Sequence, residues 1–461
     1  MNFNLEKFNT TLQSMPHCDS IVVGLSGGID SVVLLQALHS LKEQGRLDFP
    51  LRALHIHHGL HVDADAWKAF CQKFCAGLNV PLEISEVHVE ITEPRAATGL
   101  ENAARNARYR AFESSLEVGQ ALLLAHHLDD QLETFLLRLM RGAGIRGLAG
   151  MPRYRLLANS FLFRPLLDFP RESLIDYART HGLEWIEDSS NQDIRFERNY
   201  CRHKLLPLIE QRWTNYREPW NKSLILLREA DEQLKELAEI DLNFAERDRV
   251  DVIALEQLLR LSDARRRNAL RHWFGHLGLE EPGWNQLQQL SQAVVSADAN
   301  GFAGLRLGPC LLYCFKRNLY ALHISQDFDN KQELTWQLEK QSKLELPGNG
   351  ILRAESVVGS GIRAFNICSL NIKYRTGGEA CQLVGRPTKR LKKLLQEEEV
   401  LPWLRERLPL LYIKDDLAGI PGIGVAERYA TPSQEEGLLI GWEAPDFSLN
   451  RKQLGLSHIH I

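Results

Sequence analysis

The sequence predicts an α/β protein: a doubly wound, mainly parallel sheet followed by a helical domain and a small α+β domain. Three observations carry this. Short apolar runs at 21–24, 51–57, 81–89 and 121–125 alternate with stretches of helical spacing, the pattern of parallel strands joined by crossover helices. Beyond Pro219 the character changes, and 220–295 reads as consecutive helices rich in Leu, Glu, Gln and Arg, with a break near 243–252. The last segment alternates apolar runs with turns, and Leu346-Pro347-Gly348-Asn349-Gly350 marks a linker or hairpin tip before it. Domains are therefore expected over 1–217, 218–340 and 341–461.

The chain of 461 residues can bury two or three separate cores. Its composition, 44% hydrophobic and 25% charged, is that of a soluble globular protein, and no apolar run reaches the length of a membrane span. Met1-Asn2-Phe3-Asn4-Leu5-Glu6-Lys7 has no secretory character, so a cytoplasmic location is expected. A net charge of −4 argues against a uniformly basic nucleic-acid binder but leaves room for local basic patches. Eight cysteines show no CxxC or Cys/His zinc spacing. Cys71/Cys75 and Cys310/Cys314 are spaced as core pairs on one helix face would be, and reduced, mostly buried thiols are expected.

Taken in order, residues 1–20 read as a short helix and a link into the first strand. That strand runs into Ser26-Gly27-Gly28-Ile29-Asp30-Ser31 and then a helix. Such a loop aims backbone N–H groups and a positive helix end at one point, which suits a phosphate. Gly27 and Gly28 permit close approach, and Ser26 and Ser31 can donate to phosphate oxygens. Asp30 would repel phosphate without a cation between them, which places Mg²⁺ there. The plainer alternative is a strand-to-helix turn capped by Asp30 or Ser31. No Lys-Ser/Thr pair follows the glycines, so this is not a Walker A loop.

The second strand ends at His57-His58-Gly59-Leu60-His61. His55 and His57 share a strand face, yet no carboxylate or cysteine completes a clear zinc site. The other reading is a turn at the carboxyl edge of the sheet, where backbone groups near Ala53 and His55 could hold a ligand. A helix over 63–77, the strand 81–89 and a looser stretch over 92–99 come next. In the helix over 100–116, Glu101, Arg105 and Arg108 share one face, either salt-bridged in solvent or turned toward phosphate. The fourth strand runs into His126-His127-Leu128-Asp129-Asp130-Gln131-Leu132-Glu133 at the head of a helix. Asp129, Asp130 and Glu133 are ordinary dipole partners there, or carboxylates that hold Mg²⁺ or take a proton from an amine. From Arg138 to Arg217 arginine far exceeds lysine, which suits bidentate phosphate contact as well as surface salt bridges.

The glycine loop resembles the SGGxDS loop of the PP-loop ATP pyrophosphatases, which have a Rossmann-like sheet and cut ATP between the α and β phosphates. HIHHGLHVDADAW is similar to the HVNHGL segment of one branch, the tRNA(Ile)-lysidine synthetases, with His58 where Asn or Asp is usual. GLENAARNARYRAF resembles their ExxARxxRY helix, and HHLDDQLET their HHxDDxxET. Arg141–Met151 resembles RGxGxxGLxGM, Arg164-Pro165-Leu166-Leu167 RPLL, and 187–202 DxSNxD…RNxxR. Toward the C-terminus, Arg375-Thr376-Gly377-Gly378-Glu379 resembles RxGGE, and 389–397 the LKKLFQE helix with Leu395 in place of Phe.

The resemblance implies that ATP adenylates the C2 oxygen of the wobble cytidine in a CAU-anticodon tRNA(Ile). Free L-lysine then displaces AMP to give lysidine, with Mg²⁺ assisting. It places ATP at Ser26, Gly27, Gly28, Ile29, Asp30, Ser31, Ala53 and His55, and catalysis at Asp30, Asp129, Asp130, Glu133 and Arg198. The cation falls at Asp30, Asp130 and Glu133. RNA contacts fall at Arg105, Arg108, Arg141, Arg146, Arg202, Lys389, Arg390, Lys392 and Lys393. A homodimer is compatible with the sequence, and no membrane partner is expected. Two other readings stay open. One is tRNA thiolation, for which the first domain lacks the CxxC of cytidine thiolases. The other is an RNA-binding protein with an inactive PP-loop fold, against which the intact loop and carboxylates weigh.

Overall fold

The computed structural model describes residues 2–57, 59, 62–87, 97–158, 160–243, 249, 251–300, 304–308, 310–323, 328–363 and 369–445. They fall into two compact units, 1–233 and 234–461. The expected boundary after 217 falls where the long helix α10 (Arg217–Leu242) begins, and the division lies within that helix.

The first unit opens with α1 (Leu5–Gln13), β1 (Ser20–Gly24), α2 (Ile29–Glu43), β2 (Leu51–His57), α3 (Ala64–Gly77) and β3 (Leu82–Glu86). It continues with α4 (Ala97–Ser115), β4 (Gln120–Leu123), α5 (Leu128–Met140), α6 (Ile145–Leu148), β5 (Tyr154–Leu157), β6 (Ser160–Phe163) and α7 (Arg171–Thr180). The sheet order is β3-β2-β1-β4-β6-β5, parallel throughout except for the β5–β6 hairpin. Alternate strand residues feed two cores. Ile21, Val23, Ala121 and Leu123 pack with α1, α2 and α7 on one face, while Val22, Leu54, Leu122 and Leu162 pack with Ala111 and Phe112 of α4 on the other. Both faces are covered, which is why the strands read as unbroken apolar runs.

From β1 the chain winds outward through β2 and β3, then crosses to β4 on the other side of β1. The crevice at the carboxyl ends of β1 and β4 is therefore a topological switch point, where open α/β sheets bind ligands. The third strand is shorter than expected, and residues 88–96 lie outside the described residues. Helix α4 starts three residues before the expected position. Nothing in the sequence predicts the β5–β6 hairpin. Tyr154, Arg155 and Leu156 of this edge strand are exposed, so β5 shows no alternation of apolar and polar residues. After α7 come α8 (Glu197–Tyr200), a π-helical turn (Cys201–Leu205) and α9 (Leu206–Arg212).

The second unit continues α10 with β7 (Val252–Ala254), α11 (Leu255–Leu259), α12 (Asp263–His276) and α13 (Trp284–Asn300). These helices pack on an antiparallel sheet of β7, β10 (Asn318–His323), β9 (Cys310–Phe315) and β8 (Leu305–Leu307) around Trp273, Phe274, Leu290 and Leu312. The stretch 220–295, expected as consecutive helices, is helical apart from β7 beside its expected break, and β8, β9 and β10 lie in 300–345, where short strand-like runs such as 311–313 predict a mixed segment.

A further core around Trp336, Leu352, Leu370, Leu395 and Trp442 holds the C-terminal strands. One sheet joins β11 (Leu334–Gln337), β15 (Ser369–Lys373), β18 (Leu410–Ile413), β19 (Asp416–Ile420) and β20 (Gly424–Val425). The other joins β12 (Lys343–Glu345), β13 (Ile351–Val358), β21 (Glu436–Glu443) and β14 (Ile362–Arg363). Residues 346–350 are the hairpin tip between β12 and β13, held by Asn349, which donates to the Arg407 carbonyl at 2.7 Å. A ribbon of β16 (Ala380–Cys381) and β17 (Lys389–Arg390) leads into α14 (Leu391–Glu397). Cys18, Cys71, Cys75, Cys201, Cys310, Cys314 and Cys381 are free thiols, all but Cys314 buried. Among the described residues no helix is long and apolar enough to cross a membrane.

Candidate active site

The loop after β1 is held by its own serines. Ser31 donates from its hydroxyl to the Gly28 carbonyl at 2.9 Å and accepts from the Ser26 amide at 3.2 Å. The two hydroxyl oxygens lie 3.1 Å apart. Ser31 thus shapes the loop, while Ser26, exposed, faces outward. Gly27 has φ +85°, and a Cβ there would sit 2.6 Å from Ile186 Cδ1. The Gly27 carbonyl accepts from the Ile186 amide at 2.9 Å, so the 183–188 segment is laid against the loop. Gly28 begins α2 without a side-chain cap, which leaves N–H groups of the first turn for a ligand. Ile29 is anchored in the core beneath.

His55 is a core histidine with a structural task. Its Nδ1 donates to the Leu25 carbonyl at 2.8 Å, and burial lowers its pKa, so the ring stays neutral and fixes the loop's entry. His57 lies 3.2 Å from Asp65, and His58 and His61 are outside the described residues. A cavity of about 370 Å³ opens beside the loop. Its walls include Leu54–His57, Ser26, Asp30, Arg108, Phe112 and His126. Ala53 stands behind this wall, its amide donating to Pro81 within the sheet. Arg105 lies over the Tyr109 ring at 5.3 Å, and the Glu101 side chain is outside the described residues.

The loop after β4 supplies the opposite wall. His127 caps α5. Its ring accepts from the Asp130 amide at 3.3 Å, and Asp130 accepts from the His127 amide at 3.0 Å. With Nδ1 accepting, Nε2 carries a ring proton and faces Asp130 Oδ2 at 3.4 Å and Asp30 Oδ2 at 3.7 Å. The two sequence-distant acids, Asp30 and Asp130, therefore meet across one buried imidazole.

Arginines from later in the chain close the cluster. Arg198 on α8 and Arg202 in the π-helical turn donate to opposite oxygens of Glu133 at 2.7 and 2.6 Å, and both reach Asp130 Oδ1 at 3.0 and 3.2 Å. Glu133 is fully buried, and both its oxygens, expected among the metal ligands, are taken by guanidinium groups. Asp129 points elsewhere, accepting from the Arg171 amide at 2.7 Å and from Arg217 at 2.9 Å. Burial alone would raise its pKa, but those two donors outweigh it and hold Asp129 below the usual range. Asp130 is likewise depressed against burial by His127 and the arginines.

Asp30 is the exception. Burial dominates and raises its pKa, and its Oδ1 is buried without a hydrogen bond, 3.5 Å from Arg171 Nε. A buried carboxylate oxygen left in that state fits a hard divalent cation such as Mg²⁺.

No motif in the sequence marks Arg171 or Arg217. Each sits alone at the head of a helix, and only folding brings it to Asp129. Arg141 pairs with Glu197, and Arg146 lies exposed on α6. In the second unit the four C-terminal cations do not share one helix. Lys389 and Arg390 lie on β17 and Lys392 and Lys393 on α14, with Lys389 bound to Glu397 at 2.6 Å.

The PP-loop domain family matches residues 2–209, the TilS substrate binding domain 254–320 and the TilS substrate C-terminal domain 370–442. The chain is 39% identical over 432 residues to the tRNA(Ile)-lysidine synthase of Serratia proteamaculans, covering 92% of this chain and 95% of that one. It is 40% identical over 440 residues to that of Pseudomonas aeruginosa, covering 92% and 93%. Against that of Coxiella burnetii it is 36% identical over 452 residues, covering 96% of both.

Proposed function

The chain belongs to the tRNA(Ile)-lysidine synthase family, and from that premise we propose that the crevice between β1 and β4 carries out ATP-dependent lysidine formation on tRNA(Ile). The observation that supports this most is the meeting of the phosphate-type loop at Ser26–Gly28 with the Asp30–His127–Asp130 contact and the Glu133–Arg198–Arg202 cluster. The first step forms a bond from the cytidine C2 oxygen to the α-phosphorus and breaks the α–β bridge, releasing pyrophosphate. In the second the ε-amine of free lysine bonds to C2, AMP leaves with the oxygen, and the amine proton passes to a carboxylate of the crevice.

The loop amides and Ser26 orient the phosphates, which supplies much of the rate by placement alone. Arg198 and Arg202, pre-set by Glu133, present fixed positive charge where the phosphate becomes more negative. Mg²⁺, held by Asp30 with Asp130 nearby, would neutralise charge on the departing pyrophosphate. Asp130, kept ionised, draws the lysine ammonium toward the adenylated base, while Asp129, bound to Arg171 and Arg217, holds α5 in place beside it. Arg108 in the cavity wall, with exposed Arg105, Arg141 and Arg146, would offer positive charge to the RNA backbone.

The test is pyrophosphate release and nucleoside mass analysis with purified CAU-anticodon tRNA(Ile), ATP and lysine. Lysidine with stoichiometric pyrophosphate is expected. A thiolated nucleoside, or RNA binding without pyrophosphate, would overturn the reading. Asp30→Ala should cut pyrophosphate release by at least ~10²-fold while the far-UV spectrum stays unchanged, because at this helix start it supplies no side-chain cap.

A further inference from the structure

Outside this crevice, α10 and α12 bring together three metal-ligating groups that the reaction does not use. Glu239 Oε1 lies 2.7 Å from His272 Nε2 and 2.7 Å from His276 Nε2, and the two imidazole nitrogens are 3.0 Å apart. His272 and His276 are one turn apart on one face of α12, so both rings reach the same point. Between them Trp273 and Phe274 are fully buried, which fixes the rotation of α12 and directs the histidines toward α10. On α10 the buried Ala238 and Leu242 flank Glu239. Asn268 donates to the Leu234 carbonyl at 2.7 Å and Arg265 pairs with Asp241, so the two helices are clamped beside the cluster.

We propose that Glu239, His272 and His276 form a Zn²⁺-class transition-metal site that ties α10 to α12. The donor set decides the class of ion. Two imidazole nitrogens with one carboxylate oxygen suit zinc, whereas calcium and magnesium take oxygen. Spacing agrees. A tetrahedral zinc at ~2.1 Å from each ligand needs ligand atoms about 3.4 Å apart. The Glu239 oxygen must draw back about 0.7 Å from each nitrogen and the two nitrogens must part by about 0.4 Å, and the half-exposed Glu239 side chain has room to do so. His276 is also partly open to solvent, which leaves the fourth position to water. Binding displaces any proton on each Nε2, so the cluster passes from shared hydrogen bonds to three ligand bonds. In the sequence the His272-x3-His276 pair stands without a third ligand, because Glu239 is 33 residues from His272 in a separate helix.

The experiment uses full-length protein stripped with a chelator, then titrated with Zn²⁺ against a chromogenic chelator in excess Mg²⁺ to occupy hard-ion sites. One equivalent should bind, and Co²⁺ in its place should give the intense visible bands of a tetrahedral site. His276→Gln keeps a hydrogen-bonding group beside Glu239 but removes a ligand. It should weaken Zn²⁺ binding at least tenfold and abolish the rise in unfolding temperature that Zn²⁺ gives the parent. Glu239→Gln, a surface change, should do the same. Asp30→Ala should leave this equivalent intact. If either ligand variant bound Zn²⁺ as tightly as the parent, or the parent bound none, the cluster would be a hydrogen-bonded helix contact and the proposal would fall.

Discussion

Asp30 and Asp129 both meet Arg171, Asp30 at its Nε at 3.5 Å and Asp129 at its amide at 2.7 Å, yet their surroundings push them in opposite directions. Asp129 accepts from an amide and a guanidinium, so its folded pKa lies below the unfolded value. The stability it gives is complete above the ordinary carboxylate range and is lost as pH falls through the folded value. Asp129→Asn should therefore lower the unfolding midpoint at neutral pH, and the gap to the parent should close as pH falls below about 4. Asp30 is raised by burial, so its sign is reversed. It holds its proton more tightly when folded, and stability falls as pH rises from the unfolded value through the folded one. Asp30→Asn should raise the midpoint of the ligand-free protein at neutral pH while pyrophosphate release is lost, the trade expected of a group kept for chemistry. Thermal unfolding of both variants across pH would show the opposed slopes. A midpoint for Asp30→Asn at or below the parent's would remove the case for an uncompensated buried charge.

The strand–loop–helix element was legible because glycine and serine at fixed places state a backbone requirement. Ser26-Gly27-Gly28 and the apolar runs on either side locate the loop from sequence alone, and parallel strands buried on both faces show themselves as apolar runs. The π-helical turn and the β5–β6 hairpin were not legible. An edge strand with Tyr154 and Arg155 exposed carries no pattern. Nothing in Arg198–Arg202 says that both guanidiniums will share Glu133, 65 and 69 residues earlier. The RNxxR spacing is nevertheless what puts them on one face. The element's weak point is Gly27. Its φ of +85° costs an L-residue roughly 1–2 kcal/mol, and a Cβ would strike Ile186. Gly27→Ala should displace the 183–188 segment from the loop and weaken ATP binding about tenfold or more, with a modest loss of stability. ATP titration by calorimetry beside thermal unfolding separates the two. Unchanged ATP affinity would mean that the loop's shape does not set nucleotide binding.

The whole chain carries a net charge of −4, so any tRNA affinity must come from local patches rather than the overall field. One such patch in the second unit is Lys389, Arg390, Lys392 and Lys393, in the segment that matches the TilS substrate C-terminal domain. Its four charges are not equivalent. Lys389 is bound to Glu397, and Arg386 beside it is bound to Glu398, so part of the charge is answered within the fold. The RxGGE turn explains why the rest stays together. Glu379 accepts from the Thr376 and Gly377 amides at 2.6 and 2.8 Å, and its carbonyl takes the Leu391 amide at 2.8 Å, which fixes the start of α14. Replacing the four by Ala should weaken binding of whole tRNA. The slope of log affinity against log salt should fall by roughly 0.7–0.9 for each phosphate that is no longer neutralised. The total should be less than four such steps, because Lys389 is already paired. ATP binding should be unaffected. An anticodon stem-loop titrated at the same salt concentrations discriminates further. If only whole tRNA weakens, the patch holds RNA outside the anticodon arm. If both weaken equally, it holds the anticodon arm. If neither changes, these side chains are a solvated surface and the RNA-binding assignment of the patch is wrong.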